Sequence, residues 1–127
     1  YHIGKAPGCS TIIQKRAEDF VKEMPEYGPI DEQKVTTVTI DDIVSNLCEG
    51  GSYPDFLNIN IGGNEFDVLA GSDLLYSNGP AIIDVEVDGR EHEKFKTMLE
   101  ENDYFFYTRL GVNEIYVRNK YKDKIVS

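Results

Sequence analysis

Asp84, Glu86 and Asp88 alternate through the segment AIIDVEVDG, so in an extended chain all three side chains project from one face. Carboxylates converging in this way can bind a divalent cation or take a proton as a general base. With Gly89 they imitate the opening of a calcium loop, D-x-E-x-D-G. The imitation fails at the last loop position, where a bidentate Glu is required and Phe95 stands. It also fails upstream, where a strand rather than a helix is expected. With Glu65 added, a metal-centred enzyme is one function class these residues leave open. The plainer alternative puts Asp84 beside a protein partner and leaves Glu86 and Asp88 at a solvated strand end.

Other reactive residue types are sparse. His2 and His92 are the only histidines, and His92 sits between Glu91 and Glu93 at an expected helix start, where solvation is the reading. Cys9 and Cys48 lack zinc or redox spacing and have no neighbouring base to activate a thiol, which fits a reduced, cytoplasmic setting. No G-x-S-x-G elbow, P-loop or dinucleotide glycine fingerprint occurs. The formal charge of -10, from 23 acidic and 13 basic residues, opposes nucleic acid and anionic membranes through long-range repulsion. Lys120, Lys122 and Lys124 read as a solvated end against that background, and Tyr53 and the Tyr104–Tyr107 aromatics as core and rim. No apolar run reaches membrane-spanning length and no signal-peptide pattern opens the chain. It begins on Tyr1 rather than Met, which reads as a removed start or a piece of something longer.

The elements that must position these groups centre on Pro54 to Gly71, PDFLNINIGGNEFDVLAG. Phe56, Leu57, Ile59 and Ile61 suit a short strand. Gly62 and Gly63 permit a sharp turn, Asn64 and Glu65 suit a helix start, and Phe66, Leu69 and Ala70 continue at helical spacing. Such a strand-to-helix turn lies at the carboxyl edge of an open α/β sheet, where ligands bind. Upstream, apolar residues at Ile13, Ala17, Phe20, Val21 and Met24 predict a helix from about Ser10 or Thr11 to Met24. The run Val35 to Thr39, VTTVT, predicts a strand, and Thr39 caps a helix through Ile43, Val44 and Leu47. Downstream come a helical turn at Ser72–Tyr76, a strand at Ala81–Val87, a helix at Glu91–Glu101, and a hairpin of Tyr104–Arg109 with Glu114–Arg118. The alternation argues one α/β domain over 1–127, its sheet mostly parallel with an antiparallel C-terminal hairpin and helices packed on it.

Several of these stretches together resemble the FkbM-like methyltransferases. Thr39-Ile40-Asp41-Asp42 is similar to the family's T-L-D-D, Pro54–Glu65 to its D-F-L-K-I-D-V-E-G-A-E, and Val68–Gly71 to its V-L-x-G. Gly8–Ile12 resembles a small-residue segment that precedes these, Ile82–Glu86 the next strand with its closing Glu, and Tyr104–Arg118 the terminal hairpin. The resemblance implies the C-terminal half of a class I, Rossmann-like methyltransferase sheet. It also implies O-methylation of a sugar or natural-product hydroxyl in a complete parent using S-adenosylmethionine. The donor-binding glycine loop would lie upstream of Tyr1, leaving no cofactor-binding and no metal residues in this chain. Glu65, Glu86 and Asn60 become catalytic candidates, and Gly62, Gly63 and Asp84 substrate-binding candidates.

Departures from the pattern accompany the matches. Asn60 stands where the family has Asp, Gly62 where it has Glu, and Asn58 and Asn64 where it has Lys and Ala. Asn60 can hydrogen-bond a ligand but cannot accept a proton as a carboxylate does. The resemblance with these departures implies a fragment or degenerate copy of such an enzyme, with a small-molecule hydroxyl compound as the substrate of the complete parent. The alternative is a non-catalytic module that forms a homodimer through an open sheet edge near Leu57–Ile61.

Overall fold

A computed structural model describes residues 1–125. The chain divides into two compact units, one formed by Tyr1–Thr37 with Ile61–Asn64 and the other by Val38–Asn60 with Glu65 onward.

In the first unit, β1 (His2–Ile3) and β2 (Ile30–Asp31) pair antiparallel, and α1 spans Gln14–Glu23. The helix starts later than its spacing predicts because the Thr11 hydroxyl is engaged elsewhere. It accepts from the Ile13 amide at 3.1 Å and donates to the Gly62 carbonyl at 2.7 Å. Ile3 and Ala17 are fully buried and form the centre of this small unit. The VTTVT segment is not a strand; Val35 and Val38 are exposed. β-Branched residues favour a pleated, half-buried surface, and without a ladder partner the preference has nothing to act on.

The second unit holds a four-stranded sheet in the order β3-β4-β6-β5, with β3 at Phe56–Ile59, β4 at Ile82–Glu86, β5 at Tyr104–Leu110 and β6 at Asn113–Arg118. β3 and β4 pair parallel; β6 pairs antiparallel with both β4 and β5. The sheet is therefore mixed, with one parallel pair, rather than mostly parallel. The reason is the placement of β6: last in sequence, it enters between β4 and β5 and turns both of its contacts antiparallel. The predicted hairpin itself is present.

Helices α2 (Ile40–Leu47), α3 (Glu65–Ala70), α4 (Leu74–Asn78) and α5 (His92–Glu100) complete the unit. Thr39 caps α2 as its type predicts, its hydroxyl accepting from the Asp42 amide. One face of the sheet contributes Ile59, Ile83, Val85, Tyr104 and Tyr116 to a core that includes Val44, Leu69, Leu75, Phe95 and Leu99. Arg118 fastens the hairpin to α4: its guanidinium donates to the carbonyls of Gly79 at 2.9 Å and Tyr76 at 3.0 Å. Tyr104 Oη donates to the Pro80 carbonyl at 2.6 Å beside it. Among the described residues no helix is long and apolar enough to cross a membrane.

Candidate functional site

The parallel pair sets the position of three candidates in the second unit. Phe56 to Ile59 stand level with Ile82 to Val85, so Asn58 is opposite Asp84. Asn60 follows the last residue of β3, and Glu86 is the last residue of β4. Both therefore lie at the carboxyl ends of adjacent strands that run the same way, where α/β folds bind ligands. Asp84 and Glu86 share one face of β4, as alternation requires. Glu65 opens α3 and is buried despite its charge.

Among the described residues, Asp84 is the carboxylate with a buried oxygen, Oδ1, that lacks a hydrogen-bond partner. Buried polar atoms are nearly always paired, and an exception marks either strain or a missing ligand.

Asp88 does not join this face. β4 ends at Glu86, and Asp88 instead caps a 3-10 turn over Gly89–Glu91. It accepts from the Arg90 amide at 2.9 Å and from the Arg90 guanidinium at 2.7 and 3.1 Å. The Arg90 hydrogen bonds hold its carboxyl well below the usual carboxylate range. A cation trap of three alternating carboxylates is thus dissolved by the turn. Among the described residues no group of three or more His, Cys, Asp or Glu could hold a metal ion.

In the first unit, Gly62 and Gly63 have φ of +84° and +114°, where other residues are strained. A Cβ on Gly62 would lie 3.0 Å from the Ser10 carbonyl oxygen, and one on Gly63 would lie 2.7 Å from Arg16 Nη1. The two glycines thus meet two demands at once: unusual backbone angles and close approach. An open depression of about 270 Å³ in the same unit is lined by residues that include Ser10, Thr11 and Ile61.

Two polar clusters were not expected from the sequence. Glu114 is 0% exposed and accepts from Arg109 Nη1 at 2.8 Å, from His92 Nδ1 at 2.7 Å and from Tyr116 Oη at 2.7 Å. His92 is therefore a half-buried partner of a buried carboxylate rather than a freely solvated residue. A one-residue slip in register between Phe106 and Thr108 brings Arg109 level with Glu114. Glu114 is level with Val85, so it faces the helices, opposite to the Asp84 and Glu86 face. Burial drives the Tyr116 phenol far above its ordinary value, and Glu114 adds to the effect. The sequence signal was available in β6, where Glu114, Tyr116 and Arg118 alternate on one side.

The second cluster centres on Asp41. Its Oδ1 accepts from Tyr53 Oη at 2.7 Å and Ser72 Oγ at 2.5 Å, and its Oδ2 from the Asp73 amide at 2.8 Å. Burial raises the Tyr53 phenol well above the ordinary tyrosine value. Asp41 ties α2 to the start of α4, a structural duty that uses both carboxylate oxygens. Lys94 lies over the Phe66 ring at 3.9 Å in an open groove of about 630 Å³ beside α5. At the chain end, Lys122 lies over Phe105, while Lys120 and Lys124 lie over Tyr121.

Residues 1–111 match the profile of the Methyltransferase FkbM domain. Comparisons with curated proteins and with solved structures returned no match.

Proposed function

The chain belongs to the FkbM methyltransferase domain family, and from that membership we propose that it serves methyl transfer from S-adenosylmethionine to a sugar or natural-product hydroxyl within a complete enzyme. One observation carries the reading. The family match includes the parallel β3–β4 pair, whose adjacent carboxyl ends present Asn60 and Glu86.

On this reading the methyl donor is held by more than the described residues. Two carboxylates that could take its ammonium group or ribose hydroxyls, Asp41 and Glu114, are occupied by protein donors. The glycine turn after β3 holds only two glycines, and Thr11 already engages the Gly62 carbonyl. The chain is therefore assigned to the acceptor side. Glu86 and Glu65 are the candidates to take a proton from an acceptor hydroxyl, and Asn60 is the candidate to orient that hydroxyl with a donor and an acceptor. Asp84 is a substrate-binding candidate, and Gly62 and Gly63 are backbone candidates in their own unit.

The test is transfer of labelled methyl from S-adenosylmethionine to a panel of hydroxylated acceptors by the complete parent enzyme. Activity is expected with a hydroxyl acceptor, falling about 100-fold in Glu86→Gln or Glu65→Gln, the lower range for loss of a general base. Transfer to no hydroxyl acceptor, or transfer indifferent to both substitutions, contradicts the assignment.

A second reading is favoured by the edge position of β3, which pairs only with β4 among the described strands. Phe56 on that strand is 53% exposed. A second copy adding a strand there would give a homodimer. Light scattering decides it: a dimer supports the reading, and a monodisperse monomer removes it.

A further inference from the structure

A carboxylate shut away from water needs donors, and Glu114 has three in Arg109, Tyr116 and His92. Arg109 Nη1 and His92 Nδ1 reach the same oxygen, Oε2, at 2.8 and 2.7 Å. A carboxylate only accepts, so Nδ1 carries the proton and the neutral imidazole keeps its lone pair on Nε2. Phe106 fixes the ring on a second side, edge to face with centroids 5.0 Å apart. Nε2 is on the open side: it lies 3.9 Å from Glu93 Oε1, and the Glu93 side chain is 84% exposed. The charged groups that face His92 among the described residues are thus Glu114 and Arg109 from the hairpin and Glu93 from its own helix, with Tyr116 behind Glu114. A carboxylate that sets the tautomer of an imidazole whose other nitrogen points outward is the arrangement of a positioned base.

The place of this pair in the fold points to its substrate. Ile59, Val85, Glu114 and Arg109 form one row across the sheet. The row is one residue short of Asn60 and Glu86, at the carboxyl ends of β3 and β4. His92 opens α5, and Glu65 opens α3. The two helix starts adjoin: Phe66 and Phe95 meet edge to face at 5.3 Å, and Lys94 lies over Phe66. His92 therefore comes to the carboxyl edge from the helix side. We propose that His92 is a catalytic residue of the transfer, its Nε2 taking the proton of the acceptor hydroxyl while Glu114 positions the ring. The proposal rests on the methyl-transfer reading and adds a base to the two carboxylate candidates, Glu86 and Glu65. As the O–H bond breaks, the proton becomes Nε2–H and the oxygen bonds the methyl carbon. The electron pair of the broken carbon–sulfur bond stays on the sulfur of the sulfonium donor, and Glu114 balances the imidazolium. Histidine's ordinary range lies closer to neutral pH than a carboxylate's, which suits it to this step.

Two measurements test it. The first is the pH profile of methyl transfer to a hydroxylated acceptor by the complete parent enzyme. His92→Asn is the informative variant: its amide nitrogen stands about where Nδ1 stood and keeps the bond to Glu114, but nothing replaces Nε2 as a proton acceptor. It is expected to lower kcat about 100-fold and to abolish the fall in rate towards acid pH. Glu86→Gln and Glu65→Gln are expected to keep that acid limb, and His2→Asn, which removes the chain's other histidine, to leave the profile unchanged. The second measurement is the imidazole nitrogen shifts of His92 in residues 1–127, which are expected to show the proton on Nδ1 at neutral pH. This arm uses the unsubstituted chain and stays decisive if His92→Asn misfolds. A proton on Nε2, an acid limb that survives in His92→Asn, or a limb lost in Glu86→Gln or Glu65→Gln instead would overturn the proposal alone. No transfer by the unsubstituted parent would overturn the methyl-transfer reading and the proposal with it.

Discussion

Asn58 and Asp84 stand level on the parallel strands β3 and β4, and yet Asp84 Oδ1 is buried with no hydrogen-bond partner among the described residues. A few residues along the same sheet, on its opposite face, Glu114 accepts from three different side chains. Among the described residues Glu114, like Asp41, is completed by its own chain, and Asp84 is not. That difference separates a structural acid from a candidate for function.

An unfilled buried acceptor costs about 1–3 kcal/mol of desolvation. Asp84→Val removes that cost and places a β-branched side chain on a strand between Ile82 and Glu86. Urea denaturation is expected to show a gain of about 1–3 kcal/mol. A loss of stability would mean that Asp84 is satisfied in solution.

Glu114→Ala leaves Arg109 and His92 facing a cavity without their acceptor. Removing one member of a buried charged cluster costs about 3–5 kcal/mol, and thermal unfolding with wild type alongside is the measurement. Glu114→Gln keeps the shape and is expected to cost less. A change below 1 kcal/mol for Glu114→Ala, roughly the value of a surface ion pair, would show that the cluster is solvated.

Gly62→Ala puts a Cβ on a residue with φ of +84° and close to the Ser10 carbonyl. The backbone alone costs about 1–2 kcal/mol in the left-handed region. Denaturation midpoints are expected to fall accordingly. Gly8→Ala, where a Cβ meets nothing within 4 Å, serves as the neutral comparison.

Tyr104 makes an alkaline prediction. Burial raises its phenol to about 12, against an ordinary value near 10. Between those two values the unfolded chain has lost the proton and the folded chain has kept it, so unfolding is favoured as pH rises. The contribution is complete below about pH 10 and lost as pH rises through about 12. Tyr53 and Tyr116 shift in the same direction, chiefly through burial. Tyrosinate absorbance followed together with circular dichroism should show ionisation of these residues coinciding with unfolding. Ionisation at ordinary pH with the fold intact would contradict the burial.

Local signals in the sequence were legible where the chain decides structure over a few residues. The strand that starts at Phe56, the Thr39 cap, the paired glycines and the Tyr104–Arg118 hairpin all follow from side-chain type and short spacing, although the strand ends at Ile59 and leaves out Ile61. Features decided by distant partners were not. VTTVT carries strand propensity but acquires no neighbour. β6 looks terminal in sequence and becomes interior in the sheet, a choice made by tertiary pairing. His92 meets Glu114 across 22 residues, and the register slip that aligns Arg109 with them has no local signature. Asp88 was misplaced because alternation was extended two residues past the end of the strand. Glu86 could be assigned to a strand end from sequence, Asn60 was expected within the strand and follows its last residue, and the burial of Asp84 Oδ1 could only emerge from packing.

We propose that this chain supplies the acceptor side of a methyl-transferring domain, with the donor held elsewhere in the complete enzyme. Isothermal titration of S-adenosylmethionine into residues 1–127 tests it most directly. The account predicts no saturable heat at micromolar donor. Saturable binding at micromolar concentration would contradict it, because the described carboxylates and glycines would then have to form a donor site.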